Sequence, residues 1–229
     1  MQALTPQQGA PHAPHLVLHN YFRSSSAYRV RIALGLKGLP FQYVSVHLNR
    51  GGGEQFQPAF SARNPQQLVP VLGDGTVDVS QSLAIIEYLD EVYPAMPLLP
   101  ATAQGRARVR QLSLAMACDI HPLNNLRVLK YLTGPAGLDE AAKNAWISHW
   151  HGIGLAALEA DLARDARRGR YCVGDAPTMA DCCLVPQLFA ARRFGMDLAP
   201  FPTLLAIEAA CLELPAFQLA HPARQPDSE

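Results

Sequence analysis

His15 to Lys37 reads HLVLHNYFRSSSAYRVRIALGLK, and the change of period inside it decides the fold. His15 to Tyr21 alternates as a half-buried strand does, whereas Ser26 to Lys37 sets Val30, Ile32, Ala33, Leu34 and Leu36 at helical spacing, with Gly38 placed to close the helix. A strand therefore feeds a helix through a short hydroxyl-rich turn. Phe41 to Val46 is aromatic and β-branched enough for a second strand, whose sheet partner is expected after the Gly51 to Gly53 loop and a short helical stretch. Val69 to Leu72 and Thr76 to Val79 flank Gly73-Asp74-Gly75, residues that tolerate the positive φ of tight turns, so a hairpin follows. Ser82 is the expected N-cap of a helix carrying Leu83, Ile85, Ile86, Tyr88 and Leu89, ended before Pro94, Pro97 and Pro100. The order βαβ then ββα is thioredoxin-like.

After Pro100 strand-like alternation stops. Helical patterns run over Thr102 to Tyr131, Asp139 to Arg167, Thr178 to Phe194 and Pro202 to Glu213, and Thr178-Met179-Ala180-Asp181 has the form of a capping box. The division that results is a leader over 1–13 without periodicity, an α/β thioredoxin-like domain over 14–97 and an all-α domain over 98–229. A chain of 229 residues is long enough for two such cores.

Basic and acidic residues balance at 19 each and 49% of residues are hydrophobic, which argues against disorder and against broad attraction to nucleic acid or membrane surfaces. No apolar run is long enough for a membrane span and the start lacks a signal-peptide pattern, so a cytoplasmic protein is expected. The cysteines, Cys118, Cys172, Cys182, Cys183 and Cys211, are odd in number and show no C-x-x-C spacing, so they read as reduced, buried thiols and not as a zinc or redox site.

Ser24, Ser25 and Ser26 stand where the first strand enters its helix. Free N–H groups and the positive end of the helix dipole favour an anion there, a thiolate included, and a serine hydroxyl can add a hydrogen bond. Taken alone, serines at such a junction are more often simple caps.

Three further stretches change that weight: Asn64-Pro65-Gln66-Gln67-Leu68-Val69-Pro70-Val71, Asp78 to Leu89 (DVSQSLAIIEYL), and Cys118 to Asn125 (CDIHPLNN). With Tyr171 to Asp175 and His221 to Asp227 they make the chain from His15 onward resemble the zeta class of glutathione transferases, which includes maleylacetoacetate isomerases and is close to bacterial maleylpyruvate isomerases. The resemblance implies glutathione as cofactor, a homodimer, and cis–trans isomerisation of maleylacetoacetate to fumarylacetoacetate, a step in tyrosine and phenylalanine catabolism. It implies that Ser24 bonds the glutathione sulfur, with Ser25, Ser26, Ala27, Tyr28 and Arg29 at the helix start. Ser26 departs from the cysteine common in animal members, which should leave catalysis intact because the attacking sulfur belongs to glutathione. It also implies that Pro70 is cis beside Val69, that Gln81 and Ser82 hold the γ-glutamyl carboxylate, and that His47, Gln55, His121 and Asn125 make further contacts. For a small dicarboxylic keto acid it implies Arg23, Leu126, Arg127 and Arg193, with Arg192 the substitute for Arg193 if the helix is rotated. The alternatives are maleylpyruvate as substrate, conjugation or dehalogenation of small electrophiles, and a silent binding module on the same fold.

Overall fold

The structure is a computed structural model that describes residues 15–229, so the expected leader lies outside the described residues. Four strands, β1 (Leu16–Asn20), β2 (Phe41–Ser45), β3 (Val71–Gly73) and β4 (Asp78–Ser80), form one sheet in the order β2-β1-β3-β4. β1 runs parallel to β2, with Leu16 opposite Phe41, and antiparallel to β3, with Leu18 opposite Leu72. The strand beyond the glycine-rich loop thus pairs with β1 and not with β2, contrary to the sequence expectation. β2 stays at the sheet edge, where its side chains are at most half-buried.

Helix α1 (Ser25–Leu36) is buried from Ala27 to Leu34, because it is covered on two sides. Val30 and Leu34 meet Leu16, Leu18 and Leu72 of the sheet and Ile85 and Leu89 of α3 (Ser82–Val92). Tyr28, Ile32 and Ala33 enter the larger core of the helices that follow. Arg31, buried in the same helix, donates to Asn20 Oδ1 (3.0 Å), to the carbonyl of Phe22 (3.0 Å) and to that of Ala220 (3.1 Å), so one guanidinium ties the C-terminal helices to the first strand.

Between β2 and β3 lies the short helix α2 (Pro58–Arg63). From Ala103 onward the regular elements are helical: α4 (Ala103–Leu114), α5 (Leu126–Thr133), α6 (Glu140–Ala163), α7 (Met179–Arg193), α8 (Pro202–Leu212) and α9 (Pro215–Ala220). The capping box is present, with Thr178 and Asp181 bonding each other's backbone N–H groups at the start of α7. Four of the cysteines are buried and free, as expected, whereas Cys118 is exposed.

The single helix expected over Thr102 to Tyr131 is broken. α4 widens into a π-turn over Ala115–Ile120, a 3-10 turn follows at Pro122–Asn124, and Asn125 caps α5 by accepting the Arg127 N–H at 3.1 Å. Pro122 cannot donate to the preceding turn and Asn125 offers a competing acceptor, so the backbone changes direction here. α6 crosses the wide turn at Gly154, where an added Cβ would lie 2.3 Å from Ile120 Cγ1. Gly154→Ala is therefore expected to lower the melting temperature, since overpacking of about 1–3 kcal/mol outweighs a helix-propensity gain of about 1 kcal/mol. A melting temperature at or above that of the parent would show that Ile120 yields freely.

The Ser82 expectation also shifts by one position. Gln81 takes the N-cap place with φ 70° and no side-chain cap, and Ser82 is the first residue of α3.

Candidate functional site

A cavity of about 400 Å³ opens between the sheet domain and the helices. One wall is the start of α1, with Ser24, Ser25 and Ser26; a second is the Gln66 to Val69 segment; a third comes from the broken helix with His121, Asn125, Leu126 and Arg127. α6 and α7 close it through His151, Gln187, Arg193 and Phe194.

Ser24 is the N-cap of α1: its Oγ accepts the Ala27 N–H at 3.2 Å. Because that bond uses a lone pair, the hydroxyl proton stays available, and the N–H groups of Ser25 and Ser26 are first-turn donors without intrahelical partners. Ser26 Oγ lies 3.2 Å from His121 Nε2. Part of His121 faces the cavity, yet desolvation, aided by Arg29 and His151, pushes its pKa down to about 3, so the ring is neutral. An unfolded histidine takes up its proton near pH 6.5, so this group's contribution to stability is present above about 6.5 and is lost as pH falls towards 3. Imidazole NMR signals of His121 are expected to show no titration between pH 5 and 8; a midpoint near 6.5 would contradict the desolvated, neutral ring.

The structure corrects the expectation for Ala27, Tyr28 and Arg29. With Ser24 to Ser26 on the cavity, the next three residues turn round the helix to the core: Ala27 and Tyr28 are buried, and the Tyr28 ring stands edge-on to Phe189 with centroids 6.1 Å apart. Arg29 is fully buried behind α3, where its Nη1 donates to Ser82 Oγ at 3.2 Å. Its Nε and Nη2 have no partner, so an uncompensated cation backs the start of α3. Gln81, held in the left-handed region at a cost of about 1 kcal/mol, donates from Nε2 to Oε1 of the lining residue Gln66 at 2.9 Å, whereas Gln81 and Ser82 are not themselves among the residues that line the cavity.

Val69 lines the cavity, Gln55 does so with an unpartnered Oε1, and the Val69–Pro70 peptide is cis. His47 does not reach the cavity. Its Nδ1 accepts the N–H groups of Asn49 (3.2 Å) and Arg50 (2.8 Å), which fixes the proton on Nε2, and that nitrogen meets Glu229 Oε1 at 2.7 Å. The fit to glutathione therefore rests on the α1 start with its free donors and the unpartnered Gln55 oxygen in the cavity, with the α3 start beside it across the Gln81–Gln66 bond, which suit an anionic, amide-bearing tripeptide.

Arg23, Arg127 and Arg193 all line the cavity, and Lys130, which the sequence reading missed, joins them one turn beyond Arg127. Arg193 stacks on Phe194, its Cζ 4.5 Å from the ring centroid, and burial followed by the nearby Arg23 lowers its pKa. Arg192 is not the substitute: it is ion-paired to Glu208 of α8 on the far side of α7. Among the described residues no aspartate or glutamate lines the cavity, although Glu229 reaches Arg23 at 3.3 Å across an exposed surface. His151 and Gln187 are further lining residues without a sequence signal, since nothing local marks which face of α6 or α7 meets the cavity.

A glutathione S-transferase N-terminal domain model matches residues 18–97, and a C-terminal domain model of the same family matches residues 144–210. A maleylpyruvate isomerase from Ralstonia sp is 56% identical over 211 residues, covering 92% of this chain and 99% of that one. The holo structure of a maleyl pyruvate isomerase, described as a bacterial zeta-class glutathione-S-transferase, superposes with TM-score 0.90 at 54% identity over 93% of this chain and all of that one. A maleylacetoacetate isomerase from Methylobacterium extorquens AM1, solved with malonate and glutathione bound, gives TM-score 0.90 at 41% identity over 93% and 99% of the two chains. The chain belongs to the glutathione S-transferase family, and within it to the zeta class.

Proposed function

We propose that this chain catalyses the glutathione-dependent cis–trans isomerisation of a maleyl keto acid, with maleylacetoacetate the first substrate to test and maleylpyruvate the second. One observation carries the reading: four cations, Arg23, Arg127, Lys130 and Arg193, face the cavity, and among the described residues no carboxylate lines it, Glu229 meeting Arg23 only from the exposed side. A neutral electrophile would leave Arg127, Lys130 and Arg193 without the ion pair that none of them makes among the described residues, whereas a dianion pairs with them, and arginine forks hold carboxylate oxygens in a fixed plane. Relatives named maleylacetoacetate or maleylpyruvate isomerase, at 46–56% identity, support the same choice.

What glutathione supplies when bound is a thiolate nucleophile that adds reversibly to a conjugated cis double bond and is regenerated on leaving. The chain's own part is to lower the thiol's proton affinity with the Ser24 hydroxyl and the α1 start, to seat the γ-glutamyl carboxylate at Gln81 and Ser82 with Arg29 behind them, and to orient the substrate. Arg193 and Arg127 grip its carboxylates, and Arg23, close to both Ser24 and Arg193 across the cavity, offsets negative charge that develops on the keto oxygen. A cytoplasmic location and a homodimer belong to the same reading; among the described residues no helix is long and apolar enough to cross a membrane.

Maleate and its monomethyl ester distinguish a dianion site from a general electrophile site. With glutathione bound, maleate is expected to inhibit competitively and the ester weakly, and Arg193→Leu is expected to weaken maleate about tenfold or more. Equal inhibition by both compounds would overturn the dianion reading.

A further inference from the structure

His151 and Gln187 are the most deeply buried of the side chains that line the cavity, at 0% and 1% exposure. Both carry a polar atom with no partner: His151 Nε2 and Gln187 Oε1. Leaving such atoms bare inside a protein forfeits the hydrogen bonds they made to water in the unfolded chain. The position therefore invites a ligand group that pays this back.

The chemistry of that group follows from the histidine's tautomer. His151 Nδ1 lies 3.1 Å from the carbonyl of Ile147, an acceptor only, so Nδ1 bears the proton and Nε2 is a bare acceptor. Desolvation and the charge of Arg193 keep the ring from taking a second proton, although the Ile147 carbonyl works the other way. Phe194, which Arg193 stacks on, also meets the His151 ring, with centroids 5.9 Å apart, so the acceptor and the carboxylate-binding cation share one end of the cavity.

A ketone offers no proton to a bare acceptor, but an enol hydroxyl does. Maleyl keto acids carry a 1,3-dicarbonyl arm that ends in a carboxylate, and such an arm enolises readily. Building on the isomerase reading, we infer that His151 and Gln187 form a specificity subsite for the enol hydroxyl of an enolised 1,3-dicarbonyl acid, with Arg193 holding the neighbouring carboxylate. His151 Nε2 accepts the enol proton, and the Gln187 amide, turned so that its Nε2 stands where Oε1 does, donates an N–H to the same oxygen from α7. Neither residue touches the double bond; they select and orient the arm beyond it.

Binding to the glutathione-loaded protein tests this without any turnover. Three probes without a carbon–carbon double bond to attack are compared by calorimetry: 2,4-dioxopentanoate, which enolises; 4-oxopentanoate, which has no 1,3-dicarbonyl; and malonate, which has carboxylates alone. The wild-type protein is expected to prefer 2,4-dioxopentanoate over 4-oxopentanoate by about tenfold, a difference of about 1.4 kcal/mol. His151→Val should abolish that preference while malonate affinity stays within about twofold, a change under about 0.5 kcal/mol. Gln187→Leu should reduce the preference in the same sense and replaces the first variant if His151→Val fails to fold. Absence of the preference in the wild type, its survival in the variants, or an equal loss for all three probes would overturn the inference. Wild-type isomerase turnover, measured separately, shows whether the parent reading stands or falls, so the two failures are distinct.

Discussion

Asp181→Ala is expected to destabilise the protein by about 3 kcal/mol, enough to lower its melting temperature by several degrees. Asp181 is fully buried and accepts three hydrogen bonds, from the N–H of Cys172 (2.8 Å), the N–H of Thr178 (2.7 Å) and the Thr178 hydroxyl (2.9 Å). Alanine leaves these donors without an acceptor in a core where water does not reach, at about 1–3 kcal/mol for each buried group. Part of that loss is offset, because burial holds the Asp181 carboxyl above its ordinary range even with three donors around it, so its removal also relieves a desolvation penalty. Three donors at that cost span about 3–9 kcal/mol, and the relieved desolvation brings the net loss to the low end, about 3 kcal/mol. Asp181→Asn keeps one acceptor oxygen and should fall between the parent and alanine. Urea unfolding monitored by circular dichroism gives the number directly; a midpoint for Asp181→Ala equal to the parent would mean that the loop from Arg168 to Thr178 finds other acceptors.

Ser24→Ala carries the largest expected effect on activity. The substitution removes two things at once: a cap worth about 1 kcal/mol to α1 and a hydroxyl donor aimed into the cavity. A single preorganised donor to a developing or resident anion is worth about 3 kcal/mol, so kcat should fall about a hundredfold. The KM for glutathione should change far less, because in the proposed binding mode the other end of the tripeptide is held at the start of α3, by Gln81 and Ser82, and not by Ser24. Ser24→Thr retains both the cap and the hydroxyl and should restore most of the rate. If Ser24→Ala keeps its kcat, the donors that matter are the N–H groups of Ser25 and Ser26, and the hydroxyl serves only the helix.

The parts of this molecule that were legible in the sequence are those governed by neighbours in the chain. The β1 to α1 junction is a change of period and the Thr178 to Asp181 box is a four-residue pattern, and both form where the residues predict them; the β3 to β4 hairpin forms as expected but with its strands one to two residues later, so that Gly73 pairs with Asp78 and the turn is Asp74 to Val77. What escaped depends on contacts far apart. The break at Ala115–Ile120 is written only in Pro122 and Asn125, which a helical pattern on both sides outweighs. His47 meets Glu229, 182 residues later, and no local rule pairs them. Tyr28 and Arg29 follow the serine turn directly in sequence, yet helix geometry carries them to the core once Ser24 faces the cavity. Lys130, His151 and Gln187 reach the cavity only because α5, α6 and α7 converge on it, so their place is a property of packing and not of motif.

The account stands on glutathione serving as a cofactor that is returned at each turnover. The measurement that tests this most directly follows fumaryl product and free thiol together, with maleylacetoacetate and, in parallel, maleylpyruvate at glutathione concentrations far below that of the substrate. The expected result is many turnovers with the thiol undiminished and no product when glutathione is left out. Thiol lost in step with substrate, or no fumaryl product from either acid, would contradict it.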